Sequence, residues 1–220
     1  MKHIDLIIPT RNRWEKLQRC LNSVPKTIPG YELNVIIICD GDLQTAGRLL
    51  SSNEGRIKQV VYVREQRGSV YCRNLMTQCA DDAVLYATDD IEFKNGAIEA
   101  AAQAMVEHYP DGDGIIGFNQ GKKQSFSPTG VALVGQKFLC RYPQRKLFFP
   151  EYFHFSCQEI ERLGRKLDRL YLEMAAELIH YHPSFNHMEI DDTHKEARVK
   201  READRRISVT RRAKKLIWGL

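Results

Sequence analysis

The chain has 220 residues and a formal net charge of +5, with 43% hydrophobic and 28% charged residues. That length and balance fit one globular domain, or one domain with a terminal appendage, and exclude a disordered or low-complexity chain. No apolar run approaches the roughly 18–20 residues of a membrane span. The apolar stretch after Met1 is too short for a signal-peptide core, so a cytoplasmic location is the expectation.

Residues 4–9 form a short apolar run closed by Pro9 and followed by Thr10, Arg11, Asn12 and Arg13. Trp14, Leu17, Leu21 and Val24 then recur at helical spacing, which gives the order strand, loop, helix. NVIIIC, residues 34–39, is apolar throughout, as a buried parallel strand should be, and stops at Asp40-Gly41-Asp42. Residues 60–63 are a third strand and 69–79 a helix. Residues 83–87 are a strand running into Thr88-Asp89-Asp90. Asn95-Gly96 precedes an alanine-rich helix over 97–108. Strands at 115–118 and 131–134, a helix at 157–167 and a strand at 175–181 complete the body.

Alternating strands and helices predict an α/β fold, a mostly parallel sheet with helices on both faces. Ligands of such sheets bind beyond the carboxyl ends of the strands. Three runs end there in polar residues: Pro9-Thr10, Asp40 and Asp89-Asp90. Gly112 to Gly117 matches GxGxxG, but a helix precedes it and β-branched residues follow, so it reads as a turn into a strand. GxxxxGK[ST], GxSxG and HExxH do not occur, nor does CxxC. The six cysteines are scattered, and the expectation is reduced, mostly buried thiols.

The charge is uneven. From Lys195 to Leu220 there are ten lysines and arginines against three acids, a balance of +7, which leaves −2 for residues 1–194. The division is therefore a body, 1–194, and a basic, helical C-terminal appendage, 195–220, with Ile207, Ala213, Leu216 and Ile217 at helical spacing. Three roles remain open for this tail: docking an apolar stripe onto the body, contacting a membrane surface, or contacting nucleic acid.

Asp89 and Asp90 end an apolar strand in YATDDIEF, where little else is charged. Adjacent carboxylates there repel unless a cation or a donor network holds them, and Mg²⁺ or Mn²⁺ with a bound pyrophosphate would do so. With IDLIIPTRNRWEKLQRCLNSV, VIIICDGD and RGSVYCRNLMTQCADDAVLYATDD in this order, the chain resembles family 2 glycosyltransferases of the GT-A fold, a Rossmann-like nucleotide-diphospho-sugar transferase fold. The resemblance is close from Ile4 to Phe93 and looser through GVALVGQKFL and FFPEYFHFSCQEIERLGRKL to ELIHYHPSF.

The resemblance implies a metal-dependent glycosyltransferase with a nucleotide-sugar donor, a UDP-sugar first, acting with inversion on an acceptor hydroxyl of a glycan, lipid-linked, protein or nucleic-acid partner. Pro9, Thr10 and Arg11 would lie against the nucleoside and Asp40 would accept from the base. Arg73, with Arg67, would stand near the diphosphate. Thr88-Asp89-Asp90 falls on the family's Asp-x-Asp motif, with Thr88 in place of its first acid. Asp90 would bind Mn²⁺ or Mg²⁺ and Asp89 would face the ribose. His180 or His182 would add a ligand to the metal. The catalytic base falls on Glu159, with His154, Glu151 and Glu161 as other choices, because Cys157 occupies the first acidic position of the family's pattern. That departure leaves a second reading, a non-catalytic nucleotide- or nucleic-acid-binding relative. The combination of the two is a glycosyltransferase gripping a nucleic-acid acceptor through its tail.

Overall fold

The computed structural model describes residues 1–52, 55–77, 82–121, 128–154, 157–182 and 190–220. Its strands are β1 (His3–Thr10), β2 (Glu32–Asp40), β3 (Ile57–Val63), β4 (Ala83–Tyr86), β5 (Ile91–Phe93), β6 (Ile115–Asn119), β7 (Ala132–Gly135) and β8 (Leu170–His180). Its helices are α1 (Trp14–Ser23), α2 (Leu43–Ser51), α3 (Ser69–Thr77), α4 (Ala97–His108), α5 (Gln136–Leu139), α6 (Cys157–Lys166) and α7 (Asp192–Ala213). The strands form one sheet in the order β3-β2-β1-β4-β7-β6-β8-β5.

The half containing β3, β2, β1 and β4 is parallel throughout. Strand β7 runs antiparallel to both β4 and β6, and β8 runs parallel to β6. Two reversals cancel, so β8 points the same way as β4. The carboxyl ends of β1, β2, β4 and β8 therefore share one edge of the sheet. Strand β5 returns antiparallel to β8 with Ile91 opposite His180, which sets Asp90 beside that histidine. The Tyr181 N–H donates to the Asp90 carbonyl at 2.7 Å and fixes this register.

Alternate residues of the central strands serve two cores, as a pleated strand covered on both faces requires. Ile4, Leu6 and Ile8 join Val35 and Ile37 under α1 and α4. Ile7, Ile36, Ile38, Val84 and Tyr86 pack on the other face against residues of α3, α5 and α6. Burial of each such side chain contributes about 1.5–3 kcal/mol.

Several details differ from expectation. The short strand β5 and helix α2 were not foreseen, and β8 begins at Leu170 rather than near residue 175. The expected C-terminal helix is present as α7, which starts at Asp192, and Ile207, Ile217 and Trp218 pack on the second core. Ala213 and Leu216, expected in the same stripe, are exposed. The GxGxxG segment is a turn, with Gly112 at φ +71°, leading into β6. Cys20, Cys39 and Cys72 are buried free thiols, Cys157 is half-buried and Cys140 exposed. Cys79, where helix α3 was expected to end, and Pro183 of the histidine motif lie outside the described residues.

Candidate active site

Asp89 and Asp90 follow β4 and are both buried. The Thr10 hydroxyl, at the end of β1, donates to Asp89 Oδ2 at 2.8 Å. Arg13 donates through Nη1 to Asp89 Oδ1 at 3.1 Å and stands 3.5 Å from Asp90 Oδ2. His180 brings Nε2 to 3.3 Å from Asp90 Oδ1, while its Nδ1 lies 2.9 Å from Gln120 Oε1. That second contact orients the ring, as outer partners of ligating histidines do. The His182 ring centroid is 5.4 Å from that of His180.

The two carboxyl groups are driven apart. Burial pushes Asp89 above its ordinary range, and the Asp90 charge adds to this against the opposing Arg13 guanidinium. Burial acts the same way on Asp90, yet the hydrogen bond and charge of His180, with Arg13, hold it well below its ordinary range. Asp90 is thus the member of the pair that keeps its charge to the lower pH.

Asp40, at the end of β2, spends both oxygens on backbone: Oδ1 accepts from the Arg67 N–H at 2.7 Å and Oδ2 from the Gly68 N–H at 2.8 Å. It thereby ties the two residues that precede α3 to the end of β2. Gly68 is obligatory there, at φ +86°, since a Cβ would meet the Phe153 carbonyl at 2.4 Å. The acceptor capacity left on Asp40 is what remains for a ligand. Asp42 caps α2 through the Thr45 N–H and also accepts from the Asn12 N–H at 2.7 Å, tying the loop after β1 to the end of β2.

Pro9 is buried within β1. Arg11 donates through Nη1 to the carbonyls of Asp40, at 3.1 Å, and Gly41, at 3.3 Å, and its Nε pairs with Glu196 of α7 at 3.0 Å. Arg67 is exposed, with its guanidinium over the Tyr71 ring. Arg73 is buried beneath the site, where Nη2 donates to the Ala87 carbonyl at 3.0 Å and the guanidinium lies against Tyr86 and Phe148. It supports the strand end that carries the aspartates.

Glu159 departs most from expectation. It is buried and accepts from the Tyr152 hydroxyl at 2.8 Å, from Arg211 Nε and Nη2 at 2.6 and 3.0 Å, and from the Trp218 N–H at 2.7 Å. Burial opposes its ionisation, but these donors together hold its carboxyl below the ordinary range. A carboxylate held in this way anchors the C-terminal segment and is a weak proton acceptor. Glu161 pairs with Arg165 at 2.9 Å and Glu151 is exposed. At His154, desolvation first and then the Arg73 and Arg13 charges, against Asp90, push the imidazole below its ordinary range, and its Nδ1 lies 3.2 Å from the Ser69 hydroxyl.

Helix α7 runs along this edge. Asp191, just before it, pairs with Arg13 at 2.9 Å and with Lys16. The Thr193 hydroxyl donates to the Arg11 carbonyl at 3.0 Å. Buried Asp204 accepts from the Phe153 and His154 N–H groups, each at 2.8 Å. Sequence reasoning passed over Arg13, Gln120 and Asp191. The first was visible in the TRNR that follows the first strand; the others carry no local signal.

The sequence profile described as Glycosyl transferase family 2 matches residues 5–160. Comparison with curated proteins gives no match. Among solved structures the chain is similar to S. aureus TarS 1-349, at 19% identity and a TM-score of 0.61 over 78% of this chain and 58% of that one. TarS 1-349 is also solved in complex with UDP-GlcNAc. The mannosyltransferase PcManGT from Pyrobaculum calidifontis, in complex with GDP-Man and Mn²⁺, is similar at 12% identity and a TM-score of 0.61, covering 80% of this chain and 56% of that one. GalNAc-T7 with UDP, GalNAc and Mn²⁺ is similar at 12% identity and a TM-score of 0.65, covering 82% of this chain and 44% of that one. The chain thus spans between 44% and 58% of the lengths of these three. At such identities the likeness establishes the fold, which is GT-A. The profile match extends over well more than half of the sequence, and the chain belongs to glycosyl transferase family 2.

Proposed function

We propose that the chain transfers a sugar from a nucleotide-sugar donor, a UDP-sugar first, to an acceptor hydroxyl, with inversion at the anomeric carbon. One observation carries the reading: in a family 2 chain, the buried Asp89–Asp90 pair stands at the same sheet edge as Thr10, Asp40 and His180. The donors bound in similar structures, UDP-GlcNAc and GDP-Man, support it.

Asp90 and His180 offer a carboxylate oxygen and an oriented imidazole nitrogen, a donor set that suits Mn²⁺ or Mg²⁺ with few protein ligands and the remainder from phosphate and water. Among the described residues no group of three or more such side chains is arranged to hold a metal, so the fit is to a two-ligand site, with His182 next to it. When bound, the ion would supply Lewis-acid stabilisation of charge on the diphosphate. Arg13 already stands as a cationic donor beside both aspartates, and the same guanidinium is suited to a phosphate oxygen.

In the reaction the acceptor oxygen forms its bond to the anomeric carbon as the bond from that carbon to the diphosphate oxygen breaks, and the acceptor proton passes to a base. We assign this role to His154 rather than Glu159. His154 Nδ1 meets a neutral hydroxyl, that of Ser69, whereas Glu159 would first have to release Arg211 and the Trp218 N–H. The fixed position of Glu159, together with Cys157 beside it, favours the non-catalytic reading, which one experiment separates. Melting temperature is measured with UDP, GDP, CMP and dTDP, each with and without Mn²⁺, and hydrolysis or transfer of UDP-sugars is followed on the same protein. A native-state ligand at a hundredfold over its Kd stabilises by about 2.7 kcal/mol. A metal-dependent UDP shift that disappears in Asp90→Asn, with turnover, supports the transferase. The same shift without turnover supports the nucleotide-binding relative, and no shift with any nucleotide refutes both.

A further inference from the structure

The inner face of α7 is used up by the body through Thr193, Glu196, Asp204, Ile207 and Arg211. Its outer face is a separate surface. Lys195, Arg198, Glu202, Arg205, Val209 and Arg212 recur at the three- and four-residue spacing that aligns side chains along one side of a helix, with Arg206 alongside and 3.6 Å from Glu202. All seven are exposed, and Glu202 is the one acid among them. Through Lys215 the helix and its end expose nine lysines and arginines against two acids, Asp192 and Glu202. Residues 1–194 carry a balance of −2, so this charge is confined to one ridge.

The side chains set among these charges are aliphatic. Val199 is 77% exposed, Val209 60%, Leu216 46% and Leu220 66%. Nucleic-acid surfaces take up the bases of a strand on aromatic platforms, and among the described residues this ridge exposes no Phe, Tyr or Trp. A phosphate backbone also offers branched aliphatic groups nothing to bury. An anionic lipid leaflet answers both features, with headgroup charge for the basic row and an acyl boundary for Val209, Leu216 and Leu220. Twenty-two helical residues make a straight ridge about 33 Å long, a shape that meets a plane along its length. No described helix is long and apolar enough to cross a membrane, so the contact is one of lying on the surface.

We infer that the outer face of α7 docks the protein on an anionic lipid surface. The inference goes beyond the donor-site reading and does not depend on it. Because the inner face of the same helix pairs with Arg11 and Glu159, docking would hold the sheet edge that carries the aspartates at a fixed height above the leaflet.

The test is co-sedimentation of the full chain with phosphatidylcholine vesicles, with and without phosphatidylglycerol, over a range of ionic strength. Binding only to the anionic vesicles, weakening as salt rises, is expected. Each basic side chain near such a leaflet is worth about fivefold in partition, so Arg198→Glu, Arg205→Glu and Arg212→Glu together should weaken binding at least about a hundredfold. Val209→Asp should weaken vesicle binding as well, and an unchanged melting temperature confirms that these exposed substitutions leave the fold intact. Salt dependence in the unaltered protein tests the inference without any variant. Equal binding to neutral vesicles, no binding, or displacement from anionic vesicles by a short duplex or single-stranded oligonucleotide bound more tightly would overturn it, the last in favour of nucleic acid.

Discussion

Replacing Arg211 by Met separates the structural and chemical roles of Glu159. In the folded chain the Glu159 side chain is 4% exposed and that of Arg211 13%, with two contacts at 2.6 and 3.0 Å and the guanidinium stacked 3.6 Å over Phe149. Methionine keeps most of the stem packing on Phe149 and removes the charge. Losing one partner of a buried pair costs about 3–5 kcal/mol. Here Glu159 keeps the Tyr152 hydroxyl and the Trp218 N–H, which brings the expected loss to about 2–3 kcal/mol. For a chain of this size that is a fall in melting temperature of roughly 5–10 °C. Glu159→Gln, which leaves a hydrogen-bonding group of the same shape, should cost less, about 1–2 kcal/mol. Differential scanning calorimetry at neutral pH reads both. The acid side gives an independent check. Glu159 titrates below its ordinary range when folded, so its stabilisation is complete above about pH 4.5 and is lost as the pH falls through the lower folded value. Arg211→Met should lack that part of the acid sensitivity. A melting temperature within about 2 °C of the parent, with the acid profile unchanged, would refute the anchoring of α7 through this pair.

The remaining predictions concern the sheet edge. His154→Asn should lower sugar transfer about 10²-fold or more while leaving the UDP-induced melting shift in place; below its melting temperature, Glu159→Gln should stay within tenfold of the parent, and the opposite ranking would return the base to Glu159. Arg13→Ala leaves two buried carboxylates without their guanidinium and should destabilise by about 2–4 kcal/mol. Part of that loss should be recovered on adding Mn²⁺, and a melting temperature insensitive to the ion in this variant would argue against a cation site at Asp90. Gly68→Ala forces a Cβ onto the Phe153 carbonyl at 2.4 Å with φ at +86°. It should cost about 1–3 kcal/mol and weaken UDP binding, since Asp40 loses the loop it holds; calorimetric titration with UDP checks this.

What the sequence determined by itself was local. The β-branched run of β2, the polar residues that close β1 and β2, and the two aspartates after β4 each announce themselves within a few residues, because strand burial and chain reversal are short-range demands on side-chain type. His180 was legible for the same reason, at the end of an apolar pair. Helix α2 was missed because LQTAGRLLS is short and contains Gly47, and β5 because three residues make a strand only by pairing with β8. The tertiary structure alone decided the partners of the charges. Arg13 meets Asp89 across 76 residues of chain, Asp191 meets Arg13 across 178, and Arg211 reaches Glu159 across 52. Glu159 stands at a helix start, where the family pattern expects its base, and became an anchor because α7 ends against it. No local pattern encodes such pairs, because an ion pair depends on which strand ends and helix faces the topology brings to one edge, and that is fixed only when the whole sheet is assembled.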